Sequence, residues 1–463
     1  MTKPNHLADA VRVDNPERGS AAAASPDAGG APARRRGGLW HHLGFRRLWI
    51  GETVSQLGTA VSQLALPLVA ILAVHATTFQ VGLLTALETA AFLVVGLPAG
   101  AWVERMRFRR VLIVNDLIRA AALGSIPLAA ALGGLTIWQL YAAALVTGIS
   151  TVFFDVAYMS YLPLLIGRDD LVEGNAKLQG SESVSQIAGP GLGGLLVQLL
   201  TAPYALLADA LSFAWSAAWV LSIPARSPRP ERAPGRHLGR EIAEGLRFVL
   251  GNAMLRAIAM CTGLCNLFSS MTIAVLYVLL ARELHVPAGI IGLITSTAAV
   301  GGLLGSLIAS RVAARLGQGP AIWISAACIG PGAFVAPFAH RDWTLVLLAL
   351  ANVVVWMGIV VYNVTQVSFR QGLCPPRLLG RMNATMRFLV WGTMPLGGVL
   401  GGALGSAVGV RATLLAAAVG QALSFLPVYW SPLRRMRDLP AYAGPEAETA
   451  DPQAVTAEAA EPA

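Results

Sequence analysis

Acidic side chains lie inside long apolar runs of this sequence, where a charged group is costly. Six carboxylates stand within runs of the first half of the chain: Glu52, Glu88, Asp116, Asp155, Glu182 and Asp209. An ionisable group inside a membrane points to an ion or proton site by default. The runs of the second half hold essentially none away from their ends. We therefore expect one half to handle protons and the other to shape a substrate surface, although drift of interface charges would also give this asymmetry.

Glu88 is the first candidate for proton coupling. It lies about nine residues into its run, and at ~1.5 Å per helical residue it is the deepest of the six. Glu182 is the second candidate, because it precedes Gly189 by seven residues, about two helical turns. Asp116 and Arg119 are i and i+3 neighbours that can pair and so lower the cost of burying both. We include them as coupling residues, although a purely structural pair explains them equally well.

The elements that position these groups are predicted transmembrane helices. The 463 residues are 55% hydrophobic and 13% charged, with a mean hydropathy of +0.61, which excludes an ordinary soluble enzyme. Twelve apolar runs long enough to cross a bilayer lie between about residues 48 and 431, the second of them at about 79–103 and the eleventh at about 384–407. The sequence predicts an all-α membrane protein, and it contains no phosphate-binding P-loop that would supply ATP drive.

Arginines cluster after every second run and are nearly absent from the turns between. Short cytoplasmic loops accumulate such residues, so we expect both termini to be cytoplasmic. The net charge of +9 then reflects topology, and we expect no nucleic-acid partner. Neither the cysteines nor the histidines show metal-ligand spacing, and we expect no metal and no cofactor.

The chain repeats itself across a long basic segment. Gly82 and Arg105 match Gly292 and Arg315 at one offset, and Gly193-Gly194 matches Gly401-Gly402 at a similar one. This predicts two six-helix pseudo-repeats. The predicted organisation is a disordered cytoplasmic tail at 1–44, a six-helix half at 45–224, a linker with an amphipathic helix at 225–252, a second half at 253–437 and a disordered tail at 438–463.

A glycine, an acidic residue and arginines follow the second run at fixed spacing. The order is Gly100, three residues, Glu104, Arg105, three residues, and an arginine pair beginning at Arg109. It resembles the loop signature of the major facilitator superfamily, with Glu104 where aspartate is usual. The resemblance implies that this loop locks the two halves in one orientation and that Asp155 joins the same cytoplasmic gate. Arginines that only set topology would explain part of the pattern.

The fifth run carries Gly189-Pro190 followed by Gly193-Gly194. Proline removes a backbone donor and the glycines clear one helix face, which permits a kink and tight packing. The pattern is similar to the antiporter motif of drug exporters in the same superfamily, so we favour export over import. Small-residue packing alone is the other explanation.

The wider sequence resembles the third proton-antiporter drug exporter family, which includes macrolide, siderophore and multidrug exporters. The resemblance runs from about residue 45 to 437 and includes Phe45-Arg-Arg-Leu-Trp49, Asn175-Ala176 and Gly380-Arg381-Met-Asn383-Ala384. It departs from related exporters in the fourth run, which has no arginine to act as a proton relay. The resemblance implies a secondary transporter in a bacterial plasma membrane, which exports amphiphilic drugs or secondary metabolites by alternating access.

A cavity between the two halves is the expected substrate site. Aromatic and amide side chains with few charges suit bulky amphiphiles, and the candidates are Gln56, Gln63, Phe154, Asn266, Tyr277, Trp356, Asn363 and Gln366. The expected partners are a small amphiphilic substrate, protons and the lipid bilayer, and we expect a monomer. A proton symporter that imports a small metabolite and a non-transporting receptor remain alternatives.

Overall fold

The computed structural model describes residues 38–103, 105–167, 170–224, 238–375 and 378–437. Within these ranges the chain forms helices joined by turns, and none of these residues is in a strand. The all-α expectation is therefore confirmed. The tail before residue 38, the tail from 438, the first part of the linker and the gate residue Glu104 lie outside the described residues.

Sixteen α-helices follow one another along these ranges. They are α1 Leu43–Leu68, α2 Thr78–Val94, α3 Gly96–Val103, α4 Phe108–Ala131, α5 Ile137–Ile166, α6 Leu171–Leu200, α7 Ala202–Leu221, α8 Leu238–Gly251, α9 Ala253–Val278, α10 Ala288–Leu316, α11 Gln318–Ala333, α12 Thr344–Leu373, α13 Leu379–Trp391, α14 Thr393–Ala407, α15 Val410–Leu423 and α16 Leu426–Tyr429. Eleven segments of the described chain are long and apolar enough to cross a membrane. A twelfth, α2, is apolar but has 17 residues.

Two of the predicted runs are broken, and proline explains both breaks. The run predicted at 79–103 divides where α2 ends at Val94, four residues before Pro98. Likewise α13 ends at Trp391, four residues before Pro395. Because proline has no N–H for the carbonyl four residues earlier and its ring crowds that carbonyl, the helix ends there.

The predicted repeat appears as repeated backbone geometry. A π-helical turn follows α1 at Val69–Ala73 and another follows α9 at Leu279–Glu283, 210 residues further on. After these turns, His75 and His285 both have positive φ, at 53° and 50°. This is the offset that relates Gly82 to Gly292, so the matching sequences fold into matching structures.

One end of the helix bundle is tightly closed. At this end α2 packs on α14 and α6 packs on α10. A Cβ atom at Gly82 would lie 2.5 Å from the Cα of Gly402, and one at Gly292 would lie 3.0 Å from the Cα of Gly194. The glycines of the repeat therefore meet in two equivalent crossings, where only glycine allows such close approach. We call this the closed end.

The apolar core is shared at the closed end and divided at the other. One buried cluster there includes Leu68 and Leu140 from the first half of the chain and Leu280 and Ile291 from the second. Toward the opposite end, one cluster holds only residues that precede Pro224 and another only residues from 249 onward. No described atom outside its own helix lies within 4 Å of a Cβ built on Gly100. We call this the open end, and the space between the two sets of helices the cleft.

The helix predicted in the linker is present as α8 and lies at the open end. Val249 is fully buried. A Cβ on Gly245 would lie 3.0 Å from the carbonyl oxygen of Arg381 in α13, and the Arg381 guanidinium donates to Glu244 at 2.5 Å. This helix therefore packs along the start of α13.

Candidate functional site

The structure distributes the predicted acids between two environments. Asp116 and Asp209 are almost completely buried among the helices of the first half. Glu88, Asp155 and Glu182 lie along the cleft and are only partly buried or are exposed. The first environment suits a structural polar network, and the second can exchange protons or meet a substrate.

Asp116 and Arg119 form a buried ion pair, as their spacing on α4 predicts. The Arg119 guanidinium donates to the Asp116 carboxylate, and the side chains are 6% and 0% exposed. The guanidinium carbon lies 4.3 Å from the centroid of the Phe154 ring and 4.1 Å from that of Phe213. Aromatic faces attract a cation that has left water, so these rings help to hold the charge inside the bundle.

Further polar groups, which sequence reasoning left unassigned, extend this network. Asp209 on α7 accepts a hydrogen bond of 2.9 Å from Ser212, directly against Gly58 of α1. Glu52 accepts one of 3.1 Å from Gln56, and its second carboxylate oxygen is buried without a hydrogen bond to a described residue. The serine one turn from an aspartate was the available signal for Asp209.

Glu88 lies where α2 faces the other half of the chain. Its side chain is partly buried and is within electrostatic range of the Tyr277 hydroxyl on α9. No hydrogen bond joins its carboxylate to another described residue. Such a carboxyl group is free to change partners when the helices rearrange.

Glu182 is exposed on α6 and accepts a hydrogen bond of 3.1 Å from Gln179. It lies within electrostatic range of Asp155 and Tyr158 on α5. Glu182 therefore lies at the open mouth of the cleft, whereas a residue that couples proton and substrate movement is expected to lie deeper in the bundle.

The predicted gate residues are apart in this conformation. Arg109 donates to the carbonyl groups of Val220, at 3.1 Å, and Leu221 at the end of α7, where the helix dipole favours a cation. Arg105 is exposed in the turn after α3. Within the described ranges, no ion pair joins Asp155 to either arginine. The gate residues that the structure describes are therefore not joined to one another by ion pairs in this conformation.

Asp155 instead faces an arginine of the second half. Its carboxylate lies 3.7 Å from the Arg387 guanidinium on α13, and both side chains are about 40% exposed. The guanidinium also lies over the rings of Trp391 and Phe92. Sequence reasoning missed Arg387 because the eleventh run was taken to begin at 384, which placed this arginine at its edge. The helix in fact begins at Leu379, and Arg387 lies two turns inside it.

The antiporter motif packs α6 against two neighbours at once. Cβ atoms on Gly189 and Gly193 would meet Ala60 and Val61 of α1, and one on Gly194 would meet the backbone of α10. The carbonyl group of Pro190 also touches α10 at Gly292. The motif therefore joins a contact within the first half to a crossing at the closed end.

The predicted cavity residues divide into three groups. Gln63, Trp356 and Asn363 are exposed. Gln56, Asn266 and Tyr277 are partly buried, and Asn266 donates to the carbonyl group of Val390 at 3.1 Å. Phe154 and Gln366 are 3% and 4% exposed and are corrected here to packing residues in this conformation. The Arg119 guanidinium covers the Phe154 ring. Gln366 is buried on α12 and its side-chain amide donates to Asn363 of the same helix.

No three His, Cys, Asp or Glu side chains of the described ranges are grouped so as to hold a metal ion. Long apolar helices, a repeated half and a cleft closed at one end are features of a membrane transporter. The family model described as transmembrane secretion effector matches residues 39–455. The chain therefore belongs to this family of the major facilitator superfamily, whose members are multi-pass bacterial plasma-membrane transporters and not enzymes.

Curated relatives of the chain are exporters. It is 28% identical over 367 residues to the multidrug efflux pump Tap of Mycolicibacterium fortuitum, which covers 76% of this chain and 87% of that one. It is 26% identical over 346 residues to the enterobactin exporter EntS of Citrobacter koseri, with 74% and 80% covered.

Solved structures with the same fold are also transporters. The nucleoside transporter NupG matches with a TM-score of 0.70 and 13% identity over 84% of this chain and 99% of its own. A bacterial homologue of the iron transporter ferroportin matches with a TM-score of 0.69 and 15% identity, over 83% and 98%. At these identities the likeness concerns the fold alone.

Proposed function

We propose that this protein is a proton-driven exporter of amphiphilic drugs or secondary metabolites, such as macrolides or siderophores, which works by alternating access. The observation that carries the proposal is the cleft. It is closed at one end by the glycine crossings and bordered by carboxylates that accept no hydrogen bond from a described residue of the other half. The kinship with multidrug and siderophore exporters supports the direction of transport.

We further propose twelve membrane crossings, with α2 and α3 together forming the second. The two helices contain 17 and 8 residues, which together meet the roughly 20 residues that a crossing needs. The halves would be 45–224 and 253–437 with 225–252 as the linker, the tails at 1–44 and 438–463 cytoplasmic, and the protein a monomer. The open end would then face the cytoplasm, since Arg105 and Arg107 lie between α3 and α4 there and Arg315 lies in the last turn of α10.

Each set of site residues has a proposed role. Glu88 carries the coupled proton, and Glu182 passes protons at the mouth of the cleft. The buried pair of Asp116 and Arg119 assists proton coupling. The gate that forms when the open end closes consists of Gly100, Glu104, Arg105, Arg109 and Asp155. The point of α6 about which the halves rock, between α1 and α10, consists of Gly189, Pro190, Gly193 and Gly194. The substrate contacts Gln56, Gln63, Asn266, Tyr277, Trp356 and Asn363.

Transport in oriented vesicles tests the function. Everted membrane vesicles should accumulate a radiolabelled macrolide or tetracycline when their interior is acidic, and a protonophore should abolish the accumulation. Accumulation in right-side-out vesicles with an acidic exterior would instead support the proton symporter. Absence of transport in both, with saturable binding to folded protein, would support the receptor. A sodium gradient that replaces the pH gradient would overturn proton coupling.

A further inference from the structure

A partly exposed arginine of the second half is held in the cleft by aromatic rings. Arg387 lies eight residues after the start of α13 at Leu379. Its guanidinium carbon is 4.4 Å from the centroid of the Trp391 ring and 5.3 Å from that of Phe92 on α2. The two rings meet edge to face, with centroids 4.7 Å apart. Rings from both halves of the chain therefore fix the position of this cation.

The hydrogen-bonding capacity of Arg387 is not used within the described part of the chain. A guanidinium has five N–H donors, yet its nearest carboxylate oxygen, on Asp155, is 3.7 Å away and beyond hydrogen-bond distance. Arg119 differs, because it donates directly to Asp116 and is closed off between two rings. The side chain of Arg387 is 40% exposed, so its donors can reach a molecule in the cleft.

The arrangement favours an anion over a cation as the bound group. A cationic substrate would need the Asp155 carboxylate and an aromatic face, but Arg387 already stands against both. An acidic group can take the unused donors in a bidentate pair, the geometry that guanidinium matches best. A flat ring next to that acidic group can pack on Trp391, which is partly exposed.

We propose that Arg387, Trp391 and Phe92 form a substrate subsite that binds the acidic group and adjoining ring of an aromatic organic anion. Asp155 is the internal competitor for the same guanidinium. This inference rests on the proposed function, because it narrows the amphiphiles carried through the cleft to those with an acidic group. It gives Asp155 a second role beside the proposed gate.

Competition predicts opposite effects for two single substitutions. Removal of the guanidinium by Arg387→Gln should weaken binding of an aromatic anion by about tenfold or more, since charge-assisted hydrogen bonds are lost. Removal of the competing charge by Asp155→Asn should tighten binding about threefold or more. A structural role for the pair would make both substitutions weaken binding.

The probe is 2-naphthoate, with its neutral methyl ester as the matched compound. Binding is measured by calorimetry on the purified full chain in detergent, with folding checked by thermal unfolding of each variant. Arg311→Gln is the control, because Arg311 is exposed and donates only to a carbonyl group of its own helix among the described residues. Wild type should bind naphthoate and not the ester, Arg387→Lys should bind more weakly than wild type, and Arg311→Gln should bind equally well.

Three results would overturn the subsite. They are no saturable binding of naphthoate by folded wild type, equal binding by wild type and Arg387→Gln, or weaker binding by Asp155→Asn. Binding of tetraphenylphosphonium that Asp155→Asn abolishes would assign the subsite to cations instead. The vesicle experiment is separate: proton-driven export with no effect of Arg387→Gln on binding would leave the exporter standing without this subsite. Arg387-dependent binding of naphthoate without export would support the anion site and contradict the exporter.

Discussion

At the scale of single residues, two arginines inside the helix bundle have contrasting surroundings. Arg119 is 5% exposed, paired with Asp116 and covered by Phe154 and Phe213. Arg387 borders the cleft, lies over two aromatic rings, and its ion pair with Asp155 is a long one of 3.7 Å. A sealed pair of this kind stabilises one arrangement of the helices, whereas a loosely held cation is available to a ligand. The same residue type therefore serves two purposes, decided by what surrounds it.

Substitution of Arg119 tests the structural part of this account. Arg119→Met leaves Asp116 without its cation and should lower the free energy of unfolding by about 3–5 kcal/mol. The double variant Asp116→Asn with Arg119→Met has no buried charge at this point and should recover most of the loss. Thermal unfolding in detergent measures both. Equal destabilisation by the single and double variants would show that the charges do not act as a pair.

At the scale of helices, the glycine crossings determine where the two halves touch. Gly82 faces Gly402 and Gly194 faces Gly292, which are the residues that the repeat places at equivalent positions. The crossing of α6 with α10 also includes the carbonyl group of Pro190. We infer that the antiporter motif acts here by shape, because it gives α6 a flat face on both sides.

A bulky residue in one crossing should wedge the closed end apart. Gly292→Val brings side-chain atoms against Pro190 and Gly194, and such overpacking costs about 1–3 kcal/mol. It should reduce transport and expose a cysteine placed at Leu280, which is fully buried in the shared core, to a maleimide added at the closed end. This is measured after replacement of the four native cysteines.

Gly302→Val is the matched control for the wedge. It lies on the same helix, and the nearest atom to its Cβ is 3.8 Å away. It should leave both transport and the labelling of residue 280 unchanged. Similar labelling of the two variants would mean that the crossing does not hold the closed end together.

At the scale of the whole molecule, the described structure is one state of a transporter. The core is continuous between the halves at the closed end and divided at the open end. Alternating access requires a second state in which Gly100 and the gate residues at the open end come into contact.

Gly100→Val tests for the second state. No described atom beyond its helix lies within 4 Å of the added Cβ, so the unfolding temperature should stay close to that of wild type. Transport should fall, because the substitution obstructs closure at the open end. Gly134→Val, in a turn with equally open surroundings, should not affect transport. Full activity of Gly100→Val would remove this glycine from the gate.

Hydropathy was sufficient to predict that the chain folds into long apolar helices, because the apolar length of a helix is a local property of the chain. Eleven segments of the described residues are long and apolar enough to cross a membrane. The two breaks at Pro98 and Pro395 were not predicted, because five other prolines lie inside helices that continue: Pro67, Pro127, Pro163, Pro190 and Pro331. The partner of Asp155 could not be predicted, because it depends on which helices meet in the folded state. For the same reason Phe154, apolar and aromatic, was placed on the cavity surface when its ring in fact covers Arg119.

The proposed export depends on a proton carried by Glu88. Everted vesicles are given an acidic interior, and proton release is followed as macrolides, tetracyclines, dyes and siderophores are added. A substrate should dissipate the gradient with wild type and with Glu283→Gln, which removes a carboxylate at the closed end, but not with Glu88→Gln. Substrate-driven proton release that persists in Glu88→Gln would show that Glu88 does not carry the coupled proton.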